Sequence, residues 1–163
     1  SAEILRKAGA WPVAPGTDPA GLIAARGWVP RSLPLVAFVH AKLAAAGHLV
    51  TSEGAYGPSG SGPGNLEALE TELAAAEPDA AVAGEAVRIL VDEAGLFLAG
   101  EKTGEEILFR PDRLPLWFRY FSNRNLLYSV NNHLGAVALT RLLPESGGRV
   151  LEIGGGRTSA RPR

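Results

Sequence analysis

The residues best suited to chemistry lie near the C-terminal end, where a short apolar run meets a cluster of glycines. The run 150–153 contains one acid, Glu152, and continues directly into Gly154, Gly155 and Gly156. Glycines that follow a buried parallel strand let the backbone turn sharply and approach a ligand closely, at the sheet edge where nucleotides bind. We therefore expect Glu152, Gly154 and Gly156 to contact a nucleotide-type cofactor.

A second group of candidate residues is the densest cluster of polar and aromatic side chains in the sequence. It comprises Tyr120, Tyr128, Asn131, Asn132 and His133. Tyr128 and Asn132 are four residues apart and share a face if this segment is helical. His133 is the candidate general base, although no acid lies at helical spacing to orient it. The alternative is that the tyrosines are ordinary core residues and the asparagines cap helices or face solvent.

The string Glu152-x-Gly154-x-Gly156 resembles the first motif of class I S-adenosylmethionine-dependent methyltransferases. That motif consists of an apolar strand, an acid and then Gly-x-Gly, and the turn backs onto the amino-acid part of the cofactor. The chain before it resembles the helical lead-in of C-methyltransferase domains in polyketide synthases, and the resemblance covers residues 105–156. Its elements are Leu108-Phe109-Arg110-Pro111, Tyr120-Phe121-Ser122-Asn123 and Tyr128-Ser129-Val130-Asn131-Asn132.

The resemblance implies S-adenosylmethionine as cofactor and an acyl substrate, which an acyl carrier protein could present. It implies that Tyr128 joins Glu152 and the glycines in contacting the cofactor, and that Tyr120 and Asn132 contact the substrate. A complete domain continues with a helix and a second strand that ends in an acid, whereas seven residues without an acid follow Gly156 here. We therefore expect a truncated chain that is inactive and does not bind the cofactor by itself.

The helices and strands indicated by the rest of the sequence predict a mainly α (α+β) fold. Asp18 and Pro19 begin a helix that Gly27 ends, apolar spacing predicts a helix over 35–46, and a hairpin follows at 48–56. This order of elements is typical of a winged helix. We expect a winged-helix-like subdomain at 1–57, a Gly/Pro/Ser linker at 58–64, a helical lid at 65–146 and the first strand of a Rossmann-like core within 147–163.

The lid region is predicted to contain three longer helices. Asn65 caps a helix that reaches Ala76, Pro78 opens a second helix to about Ala99, and the last helix covers 125–142. Before the last helix, residues 105–111 lead into a stretch around Leu114-Pro115-Leu116 that proline is expected to interrupt.

Composition limits the functions that this chain can have. Its 163 residues carry a formal net charge of −1 and no cysteine, so there is no broad basic field for nucleic acid and no disulfide or thiolate metal site. No apolar run approaches the roughly 20 residues that span a bilayer, so no membrane partner and a cytoplasmic location are expected.

A second function remains open for the winged-helix-like part. It could serve as a dimerisation or binding module, which would make the protein a homodimer. The helix at 33–46 has only His40 and Lys42 as polar side chains in its main run, which favours a protein contact over a DNA groove.

Overall fold

The computed structural model describes residues 1–144, 148, 149 and 151. Of these described residues 64% are in helices, and a two-stranded antiparallel sheet accompanies them, so the predicted mainly α class is confirmed. Contacts divide it into a first unit, Ser1–Leu69 with Val87–Phe109, and a second unit, Glu70–Ala86 with Arg110–Arg163. The predicted subdomain boundaries stay a prediction.

Eight α-helices and one hairpin make up the part of the chain that the structure describes. The elements are α1 Ala2–Lys7, α2 Pro19–Arg26, α3 Leu33–Ala45, β1 Leu49–Ser52, β2 Ala55–Pro58, α4 Leu66–Ala76, α5 Ala81–Leu98, α6 Gly104–Leu108, α7 Leu114–Tyr120 and α8 Leu126–Leu142. Short 3-10 turns at Pro30–Ser32, Pro78–Ala80 and Pro111–Arg113 lead into α3, α5 and α7.

Local signals in the sequence set the ends of α2. The Asp18 carboxylate accepts a hydrogen bond from the backbone N–H of Gly21 at 2.8 Å, and Pro19 occupies the first turn, where no N–H is needed. Gly27 ends the helix in the left-handed region at φ 66°. These three positions are as the sequence predicted.

The hairpin follows α3 and is closed by a two-residue turn. Glu53 and Gly54 have φ values of 50° and 82°, which is the backbone twist that such a tight turn requires. On its other edge β2 gains one more pair of hydrogen bonds, because Thr17 and Tyr56 exchange N–H···O bonds of 2.9 and 2.8 Å. The segment before α2 is thereby tied to the sheet.

The first unit has a well-buried core beneath α3. Leu5, Val39, Leu43 and Leu49 are among its buried members. His40 is also completely buried. The sequence had placed it, with Lys42, among the polar side chains of a helix surface that contacts another protein. Its Nδ1 bonds the backbone oxygen of Val36 at 2.8 Å. Lys42 is therefore the polar side chain that the middle of α3 presents to solvent.

The helix α7 occupies the stretch around Leu114-Pro115-Leu116 that proline was expected to interrupt, and the short helix α6 precedes it. Thr103 and Glu106 cap α6 reciprocally: the Thr103 hydroxyl accepts from the Glu106 N–H, and the Glu106 carboxylate accepts from the Thr103 N–H. These bonds lower the pKa of Glu106. Pro115 is tolerated in α7 because it lies in the first turn, where an N–H would have no partner.

Gly100, which follows α5, provides a test of packing in the first unit. It adopts φ 80°, and a Cβ atom there would overlap the Cγ1 methyl of Val29. Gly100→Ala should cost about 1–2 kcal/mol for left-handed backbone and roughly 1–3 kcal/mol more for the overlap. Gly47→Ala is the matched control, because Gly47 has φ 76° with open space around it. Urea unfolding should show the larger loss for Gly100→Ala, and equal losses would refute the predicted overlap.

Candidate functional site

The turn between α7 and α8 is organised by one buried side chain, Asn125. Its Nδ2 donates to the backbone oxygen of Tyr120 at 2.8 Å, and its backbone N–H donates to the oxygen of Ser122 at 3.0 Å. Its own carbonyl accepts from the N–H groups of Tyr128 and Ser129 at 3.1 and 2.8 Å. Because Asn125 bonds the last turn of α7 and the first turn of α8, it fixes one helix end against the other.

Four aromatic side chains pack around this turn and form the aromatic cluster: Trp117, Tyr120, Phe121 and Tyr128. Phe121 lies at their centre, with ring centroids 5.2 Å from Tyr120, 5.3 Å from Tyr128 and 5.7 Å from Trp117. The two tyrosine contacts are edge-to-face, which is a favourable geometry for aromatic pairs. The structure thus brings both predicted tyrosines, 120 and 128, against one shared ring.

The asparagines of α8 differ in their surroundings. Asn132 is partly buried, and its Nδ2 donates to Oδ1 of Asn123 in the turn at 2.8 Å. Asn131 and His133 are exposed. The candidate base His133 therefore lies on the solvent side of α8, whereas Asn132 faces the turn that also holds the aromatic cluster.

The predicted cofactor residues Glu152, Gly154 and Gly156 lie outside the described residues. The structure adds three residues to the site that the sequence did not predict: Asn125, Asn123 and Phe121. Asn125 lies three residues before Tyr128, and this helical spacing is the signal in the sequence that could have pointed to it. Its Oδ1 is buried and has no hydrogen-bond partner among the described residues, so this site offers an acceptor to a further donor.

An ion pair on the surface joins α7 to the start of α5 within the second unit. The guanidinium of Arg119 binds both carboxylate oxygens of Glu85, with an Nη1–Oε1 distance of 2.9 Å. This bond raises the pKa of Arg119. Both side chains are about half exposed, so the pair contributes little to the stability of the fold.

Neither a metal site nor a membrane-spanning helix is present in the part of the chain that the structure describes. There, no group of three His, Asp or Glu side chains is placed to hold a metal ion. Within the same part of the chain, no helix has the length and hydrophobicity to cross a membrane.

Comparison with known proteins gives a match of fold. No protein-family model matches the sequence, and no curated protein matches it. Similar solved structures include a crystal structure of selenomethionine-substituted CurJ carbon methyltransferase, with a TM-score of 0.69 and 19% sequence identity. The match covers 90% of this chain and 40% of that protein. The chain therefore has the fold of part of a carbon methyltransferase.

Fluorine NMR can test whether Asn125 positions the aromatic cluster. The chain has three tyrosines, so labelling with 3-fluorotyrosine gives signals for Tyr56, Tyr120 and Tyr128. Asn125→Ala should shift the signals of Tyr120 and Tyr128, leave that of Tyr56 in the first unit, and cost about 1–3 kcal/mol. The control is Asn131→Ala, which removes an exposed amide from the same helix. Unchanged signals for both site tyrosines in Asn125→Ala would contradict the positioning role.

Proposed function

We propose that this chain is the lid and substrate-shaping region of an S-adenosylmethionine-dependent carbon methyltransferase from a polyketide-type biosynthetic enzyme. The fold shared with a carbon methyltransferase over 90% of the chain is the observation that carries the proposal. In this proposal 1–57 is winged-helix-like, 58–64 is a linker, 65–146 is the lid and 147–163 begins the methyltransferase core.

The aromatic cluster and the polar turn fit the groups that such an enzyme handles. Aromatic faces attract cations, so the ring of Tyr128 suits the sulfonium region of the cofactor. S-adenosylmethionine supplies an activated methyl group when it is bound. We assign Tyr128, with Glu152, Gly154 and Gly156, to the cofactor, and Tyr120 and Asn132 to the acyl substrate.

The contribution of this chain to the reaction is positioning. Methyl transfer is a displacement that depends strongly on holding the two reactants in line. Asn125 bonds the backbone of both tyrosines, and the Phe121 ring packs against both of their rings. The amide of Asn132 is oriented by its bond to Asn123. A carbon nucleophile also needs a base, and His133 is exposed with no carboxylate at helical spacing. We infer that the base comes from elsewhere in the enzyme and that this chain alone does not catalyse transfer.

A second function rests on the outer face of α3. Pro34, Phe38, Ala41 and Ala45 are exposed at helical spacing, and Phe38 is 56% exposed. The ammonium of Lys42 lies over the Phe38 ring, 5.4 Å from its centroid. This apolar face supports a protein contact, including a homodimer, more than a DNA contact, which would need several cations along the helix.

Calorimetric titration tests the lid proposal on this chain. With S-adenosylmethionine we expect no measurable heat of binding, because the cofactor fold continues beyond the glycine turn with a further strand and helix. S-adenosylhomocysteine should also give no heat of binding. Because it is a separate compound, it controls for a missing signal that is caused by breakdown of S-adenosylmethionine. Micromolar binding of either compound would contradict the view that the pocket needs more of the enzyme.

Light scattering after size exclusion tests the dimer alternative. If α3 forms a two-fold contact, the protein elutes as a dimer and Phe38→Ser converts it to a monomer, because an exposed phenylalanine at the contact is replaced by a polar side chain. Leu134→Ser on α8 changes a side chain of similar exposure, 60%, and should leave the dimer intact. A monomer at all concentrations would remove the support for this function.

A further inference from the structure

The helix α8 exposes an apolar face along most of its length. Leu127, Val130, Leu134 and Val137 are spaced three and four residues apart, so they share one side of the helix. Their exposed fractions are 57%, 50%, 60% and 39%. These four residues form the apolar face of α8. No residue of α8 is buried by the part of the chain that the structure describes.

The residues that hold α8 in the second unit lie on the opposite side of the helix. Tyr128 and Asn132 are partly buried, because they contact Phe121 and Asn123 of the preceding turn. Val130 and Leu134 each follow one of these residues by two positions, which is about 200° around the helix. The apolar face of α8 therefore points away from the turn that holds the helix.

The composition of α8 is that of a helix with a covered surface. Among its 17 residues, Arg141 is the only Asp, Glu, Lys or Arg. The helix α4 also has no buried residue, but it carries three glutamates in 11 residues, as a helix that faces water does. A helix with large apolar side chains and so little charge normally packs against another element.

We propose that the apolar face of α8 packs against the parallel sheet of the methyltransferase core. The matched carbon methyltransferase is larger than this chain, because the match covers 40% of that protein. A parallel sheet is covered by helices on both faces, so a core sheet presents the apolar surface that such a helix needs. This inference rests on the proposed function, which supplies the core.

The core fits this face better than a second copy of the chain or a membrane surface. Its predicted first strand, 150–153, follows closely after α8 ends at Leu142. A partner tethered in this way acts at an effective concentration of about millimolar, which favours it over a separate chain. A helix that lies on a membrane surface is rich in Lys and Arg along its polar side, whereas α8 has Arg141 alone.

Hydroxyl-radical footprinting with mass spectrometry tests this contact without any substitution. It compares the exposure of side chains in this chain and in the complete gene product. Oxidation of Leu134 should be slower by about fivefold or more in the complete product, because the centre of such a contact excludes water. The matched control is Leu69 on α4, which is 55% exposed and should change by less than about twofold.

Matched substitutions test the same contact through stability, measured by urea unfolding. In the complete product, Leu134→Ser should shift the unfolding equilibrium by about tenfold or more toward the unfolded state, because a buried leucine is lost. In this chain, where Leu134 is exposed, the shift should stay below about threefold. Leu69→Ser should stay below about threefold in both proteins.

Three results would overturn the proposed contact. These are equal oxidation of Leu134 in the two proteins, equal effects of Leu134→Ser and Leu69→Ser in the complete product, and a dimer of this chain that Leu134→Ser dissociates. In the last case a second copy is the occupant. Methyl transfer by a complete product in which Leu134 stays exposed refutes this inference alone. Protection of Leu134 without methyl transfer refutes the proposed function alone.

Discussion

Asn125 joins the end of α7 to the start of α8 through four hydrogen bonds, and the candidate site depends on that junction. Each of these bonds contributes about 1 kcal/mol, and leaving the buried Nδ2 group of Asn125 without its bond to Tyr120 would cost more than that. The same junction brings Tyr120 and Tyr128 edge-to-face against the ring of Phe121. Its bonds act together with the Phe121–Tyr128 ring contact and the Asn132–Asn123 bond to orient α8 relative to α7.

The two units differ in how they are stabilised. The first unit surrounds α3 with buried Leu and Val side chains, and its sheet edge is tied by Thr17 and Tyr56. In the second unit α8 has no buried residue among the described ones, and Leu127 and Leu134 are 57% and 60% exposed. Order around α8 therefore rests on its N-terminal turn and on the aromatic cluster more than on a core. The function we propose uses this same turn.

Short-range signals explain what the sequence could predict. Asp18, Pro19 and Gly27 act within a few residues of themselves, and so do the turn residues Glu53 and Gly54, which is why α2 and the hairpin were predicted nearly as they stand. The sequence did not predict α7 because it contains Pro115. A proline breaks the interior of a helix but is tolerated in the first turn, which is where Pro115 lies. The difference depends on where the helix begins, which the sequence left open.

The site was harder to predict because its organisation is not periodic. Spacing pairs Tyr128 with Asn132, but it cannot show that Asn132 bonds Asn123 across a turn or that Asn125 bonds a backbone oxygen of the preceding helix. The burial of His40 is a similar case, since it depends on α1 and the hairpin covering α3. The glycine motif at 154–156 was the clearest chemical signal in the sequence, and it lies outside the described residues.

The most direct test of the account is transfer of an isotopically labelled methyl group from S-adenosylmethionine to an enolisable acyl thioester by the complete gene product. The account predicts label on a carbon of the acyl chain, with transfer reduced about tenfold or more by Asn132→Ala and little changed by His133→Ala. Absence of transfer by the folded complete product, or full activity of Asn132→Ala with loss in His133→Ala, would contradict it.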